Sequence, residues 1–121
     1  MALKFRILDP DNATEAVDIN HFRFVAGEDR ILRLQIFDDI DDDNYSIADP
    51  GDINVILPGY PDNIEKVGTI QSDRSIVVVE LVDTDTSSMI SGGLLGKITE
   101  NSKIRYVRGP FLFKKLGKLE D

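Results

Sequence analysis

The chain has 121 residues, 41% hydrophobic and 30% charged, with 22 acids against 14 lysines and arginines, and its length suits one packed domain over residues 1–121. Cysteine is absent, which excludes disulfides, thiolate metal sites and cysteine nucleophiles, and a net charge of −8 opposes binding to nucleic-acid phosphates. No apolar run approaches the roughly 20 residues of a membrane span and the opening MALKFRILDPD has no apolar signal region, so a soluble chain made in a reducing cytoplasm is expected, without a membrane partner.

Alternation with period two governs the chain from its start. Leu3, Phe5 and Ile7 fall on one face of a strand, with Lys4 and Arg6 on the other, and the Pro10-Asp11-Asn12 cluster stops it. Residues 1–19 thus read as an N-terminal strand or arm. Asn20 to Ala26 alternate again, and Gly27-Glu28-Asp29 turns the chain into a strand over Ile31 to Phe37, with Leu32, Leu34 and Ile36 inward. A further strand fits Ile53 to Leu57, ended by Pro58-Gly59, and another lies near Val67 to Gln71. Ile76 to Val82 is β-branched and nearly all apolar, the pattern of a central strand covered on both faces or over most of its length.

One helix of a turn or two fits between Asp83 and Gly93, with Asp85 accepting from its first free N–H groups and Gly92 as a left-handed cap. Strands return at Leu95 to Thr99, Ile104 to Arg108 and Phe111 to Phe113, separated by turns at Glu100-Asn101-Ser102 and Gly109-Pro110, before a polar tail at 116–121. About seven or eight short strands with one short helix predict an all-β fold: an antiparallel β-sandwich, immunoglobulin-like or jelly-roll-like, or a closely related small barrel.

Few residues point to chemistry. The acidic run Asp38-Asp39-Ile40-Asp41-Asp42-Asp43 offers Asp39, Asp41 and Asp43 as calcium ligands, but Asn44 stands where an EF-hand needs Gly and Pro50 where it needs Glu. A solvated loop between strands is the plainer reading. Asp83-Thr84-Asp85-Thr86 lacks the glycine of an aspartic-protease motif and is explained by a helix start. His21 is the sole histidine, so it can anchor neither a zinc site nor a nucleophile–base pair with cysteine. Gly92-Gly93-Leu94-Leu95-Gly96 lacks the lysine of a phosphate loop, and the sequon at Asn12-Ala13-Thr14 has no secretion signal to serve. No motif calls for a catalytic residue or a cofactor.

Charge is uneven along the chain. From Asp9 to Asp52 there are 13 acids against three bases, whereas from Lys97 to Asp121 there are seven bases against three acids. Segments of opposite sign let neighbouring copies dock acid to base, or are ordinary surface charge.

Taken together, three stretches carry a family resemblance. They are Phe22-Arg23-Phe24-Val25-Ala26-Gly27-Glu28-Asp29-Arg30 with its following strand through Leu32, Leu34 and Ile36; Ile76-Val77-Val78-Val79-Glu80-Leu81 with Asp85-Thr86-Ser87-Ser88-Met89 and Gly92; and Gly109-Pro110-Phe111-Leu112-Phe113. Across about residues 20 to 115 this order resembles a β-sandwich module of tailed-bacteriophage baseplate and tail-fibre proteins, notably the N-terminal domain of upper baseplate proteins. The acidic loop and the lack of a helical or fibrous extension depart from that pattern.

The resemblance implies a virion structural protein, without enzymatic activity, made in the host cytoplasm. Its partners would be other virion proteins of the tail tube, baseplate or fibre, with copies in a homo-oligomeric ring. Leu3, Phe5 and Ile7, with Tyr106, Phe111 and Phe113, are the expected assembly residues, since sheet edges can be paired by neighbours. Core packing is the alternative for Phe111 and Phe113. A capsid decoration protein and a carbohydrate- or receptor-binding sandwich module are the competing functions.

Overall fold

Alternating apolar residues bury one side of a strand and leave its backbone seeking neighbours on both edges, so the fold is settled by which strands meet. A computed structural model describes residues 2–9, 12–16 and 23–115. The strands are β1 (Leu3–Asp9), β2 (Asn12–Ala16), β3 (Arg23–Val25), β4 (Arg30–Asp38), β5 (Gly51–Leu57), β6 (Ile64–Val67), β7 (Thr69–Ile70), β8 (Ile76–Leu81), β9 (Gly92–Glu100) and β10 (Lys103–Lys115). One helix, α1 (Asp83–Ser88), separates β8 from β9. Among the described residues the protein is all-β apart from that helix.

Hydrogen bonding runs through one sheet in the order β6-β5-β9-β10-β1-β4-β8-β7, with β2 beside β1 and β3 beside β10. β6 and β7 stand at opposite ends of that order but are joined in sequence by Gly68 alone. The segment 64–70 therefore pairs with β5 through Asn54↔Val67 and with β8 through Thr69↔Val78, closing the sheet on itself. The Gly68 N–H donates to the Ile53 carbonyl at 2.9 Å at the crossing point.

The sheet is mixed where an antiparallel one was expected. β1 runs parallel to β10, with Lys4 beside Arg108, and β3 runs parallel to the end of β10. Both parallel contacts join segments distant in sequence, which no hairpin constrains to be antiparallel. Gly109-Pro110 bulges a single long strand where two were expected, and Asn101 and Ser102, both at positive φ, make the two-residue turn from β9 to β10. The expected strand over 20–26 is described only as β3. Its first residues, the tail at 116–121 and most of the 1–19 arm beyond β1 and β2 lie outside the described residues.

One core fills the closed sheet. Leu3, Phe5 and Ile7 meet Leu32, Leu34 and Ile36 from β4, Ile53, Val55 and Leu57 from β5, Val77, Val79 and Leu81 from β8, and Leu94 and Ile98 from β9. β8 is fully buried on that face only: Glu80 is exposed and Ile76 and Val78 are half-buried, where cover on both faces or over most of its length was expected. α1 covers the end where β6 and β8 diverge. Lys66 reaches Asp85 at 2.9 Å, Tyr60 N–H donates to the Ser88 carbonyl and Ile90 N–H to the Pro58 carbonyl, with Met89 buried beneath.

The helix caps differ from those expected. Val82 precedes α1, and Asp85, three residues in, accepts from the Val82 N–H at 3.0 Å. Gly92 starts β9 and is needed for room, since a Cβ there would sit 2.8 Å from the Pro58 Cβ.

Gly68 has the same need at the closure, where a Cβ would lie 2.5 Å from Val77 and 2.9 Å from Ile53, both buried. Gly68→Ala is expected to lower the unfolding free energy by about 1–3 kcal/mol through overpacking. At Gly93 a Cβ meets nothing within 4 Å, so Gly93→Ala should leave the urea midpoint nearly unchanged. Equal effects of the two substitutions would contradict this account of the closure.

Candidate functional site

Inward positions of a strand ordinarily carry apolar residues, so a charge at that parity marks a place where something else is solved. Leu94, Gly96 and Ile98 point inward along β9, and Glu100 continues the parity, buried at the end of the closed sheet. Its carboxylate accepts from the Tyr45 hydroxyl, from the Ala48 N–H at 2.7 Å and from the Arg105 Nε at 3.2 Å. Arg74 donates from Nε to the Ile47 carbonyl at 2.7 Å and from Nη2 to the Ala48 carbonyl at 2.9 Å. Together these groups hold the segment 45–48 across the mouth of the sheet, with Ile47 inserted into the core.

Burial acts to raise the Glu100 pKa, but the bonds from Tyr45 and Ala48 and the charge of Arg105 outweigh it, leaving the carboxyl below its ordinary value. Tyr45 is shifted upward by burial and by its bond to the Glu100 carboxylate, which favours the protonated phenol. The chemistry of this cluster is that of a clamp.

The acidic loop is a hairpin tip. Asp38 N–H donates to the Asp43 carbonyl and Tyr45 N–H to the Ile36 carbonyl, while Asp42 takes a positive φ at the turn. Asp39 pairs with Lys4 at 3.1 Å and Asp42 with Arg6 at 2.9 Å, and Arg6 stacks 3.9 Å above the Phe37 ring. Of the calcium candidates Asp39, Asp41 and Asp43, only Asp39 has an ion-pair partner among the described residues, Lys4. Asp39 is turned toward a cation of β1, and among the described residues no three acidic or histidine side chains converge as a metal site. Ile40 stands at the tip, 71% exposed.

The expected assembly residues divide into two groups. Leu3, Phe5 and Ile7 are core residues, and β1 is bonded on one side to β10 and on the other to β4, so neither its side chains nor its edges are available for a partner. This corrects the expectation. Tyr106 and Phe111 are 58% and 47% exposed on the outer side of β10, and Phe113 is also exposed, its ring 4.8 Å from that of Phe111. Ile104 extends the same stripe.

Beside this stripe lies an open groove of about 450 Å³ lined by Gly93, Leu95, Tyr106, Arg108 and Gly109. Register explains it. Lys97 faces Tyr106, Leu95 faces Arg108 and Gly93 faces Phe111, so the missing side chain at Gly93 and the bulge beyond Arg108 leave a depression bordered by an aromatic ring and a guanidinium. His21 lies outside the described residues.

The sequence reading missed the Glu100–Tyr45–Arg105 clamp and the groove. The clamp had a signal in the inward parity of Glu100 beside a turn; the groove depends on which strand β10 faces and had none. No protein-family model and no curated protein sequence matches the chain.

A carboxyl whose folded pKa is depressed stabilises the fold above its unfolded pKa, and that contribution is lost as pH falls through the folded pKa. Glu100, Asp73 and Asp85 are all held low, so stability is expected to decline as pH drops below the ordinary carboxyl range. Glu100→Gln should cost about 1–2 kcal/mol near neutral pH and reduce that acid sensitivity. Urea titrations from pH 7 down to about 3 check both; an acid slope unchanged by the substitution would refute the assignment.

Proposed function

We propose that this chain is a structural protein of a tailed-bacteriophage particle, in the tail or baseplate or at a fibre attachment, and that it works by binding other virion proteins rather than by catalysis. One observation carries the assembly part of the reading. The outer side of β10 places Tyr106, Phe111 and Phe113 in a single exposed stripe while Val107 and Leu112 of the same strand fill the core. Scattered apolar surface residues are ordinary, but Ile104, Tyr106 and the adjoining Phe111 and Phe113 rings aligned on one strand face, with Arg108 between them and a groove beside them, form the kind of surface that partners cover. The virion context comes from the sequence resemblance across residues 20 to 115.

The polar clusters agree with a non-catalytic role. Glu100, Tyr45 and Arg105 bond one another and the 45–48 backbone, and Thr86, fully buried, donates to the Glu28 carbonyl while accepting from the Gly27 N–H. Each cluster fastens one loop to the sheet. A receptor- or carbohydrate-binding module is the second reading, favoured by the Tyr106 ring at the edge of the groove. Decoration of a capsid is a variant of the first.

Quantitative mass spectrometry of density-purified particles from the source tests the reading. A low copy number matching a tail or baseplate ring is expected. Parity with the major capsid protein would replace the tail reading with decoration, and absence from the particle would overturn the structural role in favour of the receptor-binding one.

A further inference from the structure

The stripe and groove need an occupant, and the opposite charge lies close by on the same side of the sheet. In strand order only β1 separates β10 from β4, so the acidic tip that continues β4 stands about two strand spacings, roughly 10 Å, from the groove. Arg108 lines the groove, Lys97 faces Tyr106 across the strand pair, and Lys4 lies beside Arg108 in register. The tip presents Asp41 and Asp43 around the exposed Ile40, with Asp39 and Asp42 engaged by Lys4 and Arg6.

One face thus carries a basic, aromatic depression and an acidic projection with an apolar side chain at its apex. Two such faces are complementary to each other when related by a two-fold axis, because each copy then offers its tip to the groove of the other. Building on the assembly reading, we propose that the groove between β9 and β10 is occupied by the acidic hairpin tip of a second copy of this chain. Ile40 enters against Leu95 and Tyr106, and Asp41 and Asp43 face Arg108 and Lys97 of the neighbouring copy. Charge complementarity sets the orientation, and burial of the apolar apex supplies the attraction that persists at high salt.

Sedimentation of the purified chain tests this. The wild type is expected to dimerise, with an affinity that weakens as salt screens the charged contacts. Arg108→Glu is expected to weaken the dimer about tenfold or more, and Asp41→Lys with Asp43→Lys to do the same. An equimolar mixture of the two variants should dimerise again, because the acidic tip of one then meets the unaltered basic groove of the other, and the lysine-bearing tip meets the acid introduced by Arg108→Glu. Ile40→Ala should weaken the dimer while leaving its salt dependence in place. All of these positions are exposed, and an unchanged melting temperature verifies that each variant is folded.

A wild-type chain that stays monomeric at several hundred micromolar, a dimer indifferent to both charge reversals, or a mixture that remains monomeric would overturn the proposal. The two levels fail separately. A monomeric chain that is nevertheless counted in particles ends this inference and leaves the assembly reading intact, whereas a dimer absent from particles does the reverse.

Discussion

Closing a sheet on itself requires one strand to serve two neighbours, and residues 64–70 do so by bonding to β5 through their first half and to β8 through their second. The bend falls at Gly68, the one point where the backbone passes close enough to Val77 and Ile53 to leave no room for a side chain. Everything else follows from that closure. Inward residues of β1, β4, β5, β8, β9 and β10 share one core, and the two ends of the sheet must be covered by other means. At one end Met89, which ends α1, is buried in the core; at the other, Ile47 enters the core and is held by Glu100 and Arg74.

The two ends show different ways of satisfying the same demand. The helix end relies on backbone bonds and the Lys66–Asp85 pair, with Asp85 also bonding the Val82 N–H. The opposite end places a carboxylate inside the sheet and surrounds it with a phenol, an amide N–H and a guanidinium. A buried carboxylate is tolerated only when its oxygens are bonded, and those bonds also fix the course of the 45–48 backbone. The outer side of β10 carries the exposed aromatic residues Tyr106, Phe111 and Phe113.

Much of this was legible in the sequence because alternation reports directly which face of a strand is buried. The inward residues of β4 and β5 follow from spacing alone, as does the turn at Asn101-Ser102. Alternation is silent on which strand lies beside which. The parallel contact of β1 with β10 joins the two ends of the chain, and it turned Leu3, Phe5 and Ile7 from an expected pairing edge into interior residues. β2 was missed because Asn12 to Ala16 has no apolar alternation to read. Asp39, Asp41 and Asp43 have the composition of a cation site, but β1 supplies cations that turn Asp39 and Asp42 aside, a consequence of register that no local window contains.

The central functional claim is that the outer face of β10 is covered in the assembled state. Covalent footprinting of aromatic side chains, compared between the free chain and purified particles, reads this at single residues. Tyr60, 76% exposed on the turn between β5 and β6, provides an internal reference. The account predicts that Tyr106 and Phe111 label readily in the free chain diluted to its monomer and become protected relative to Tyr60 in the particle. Equal labelling of Tyr106 and Phe111 in both states would contradict it.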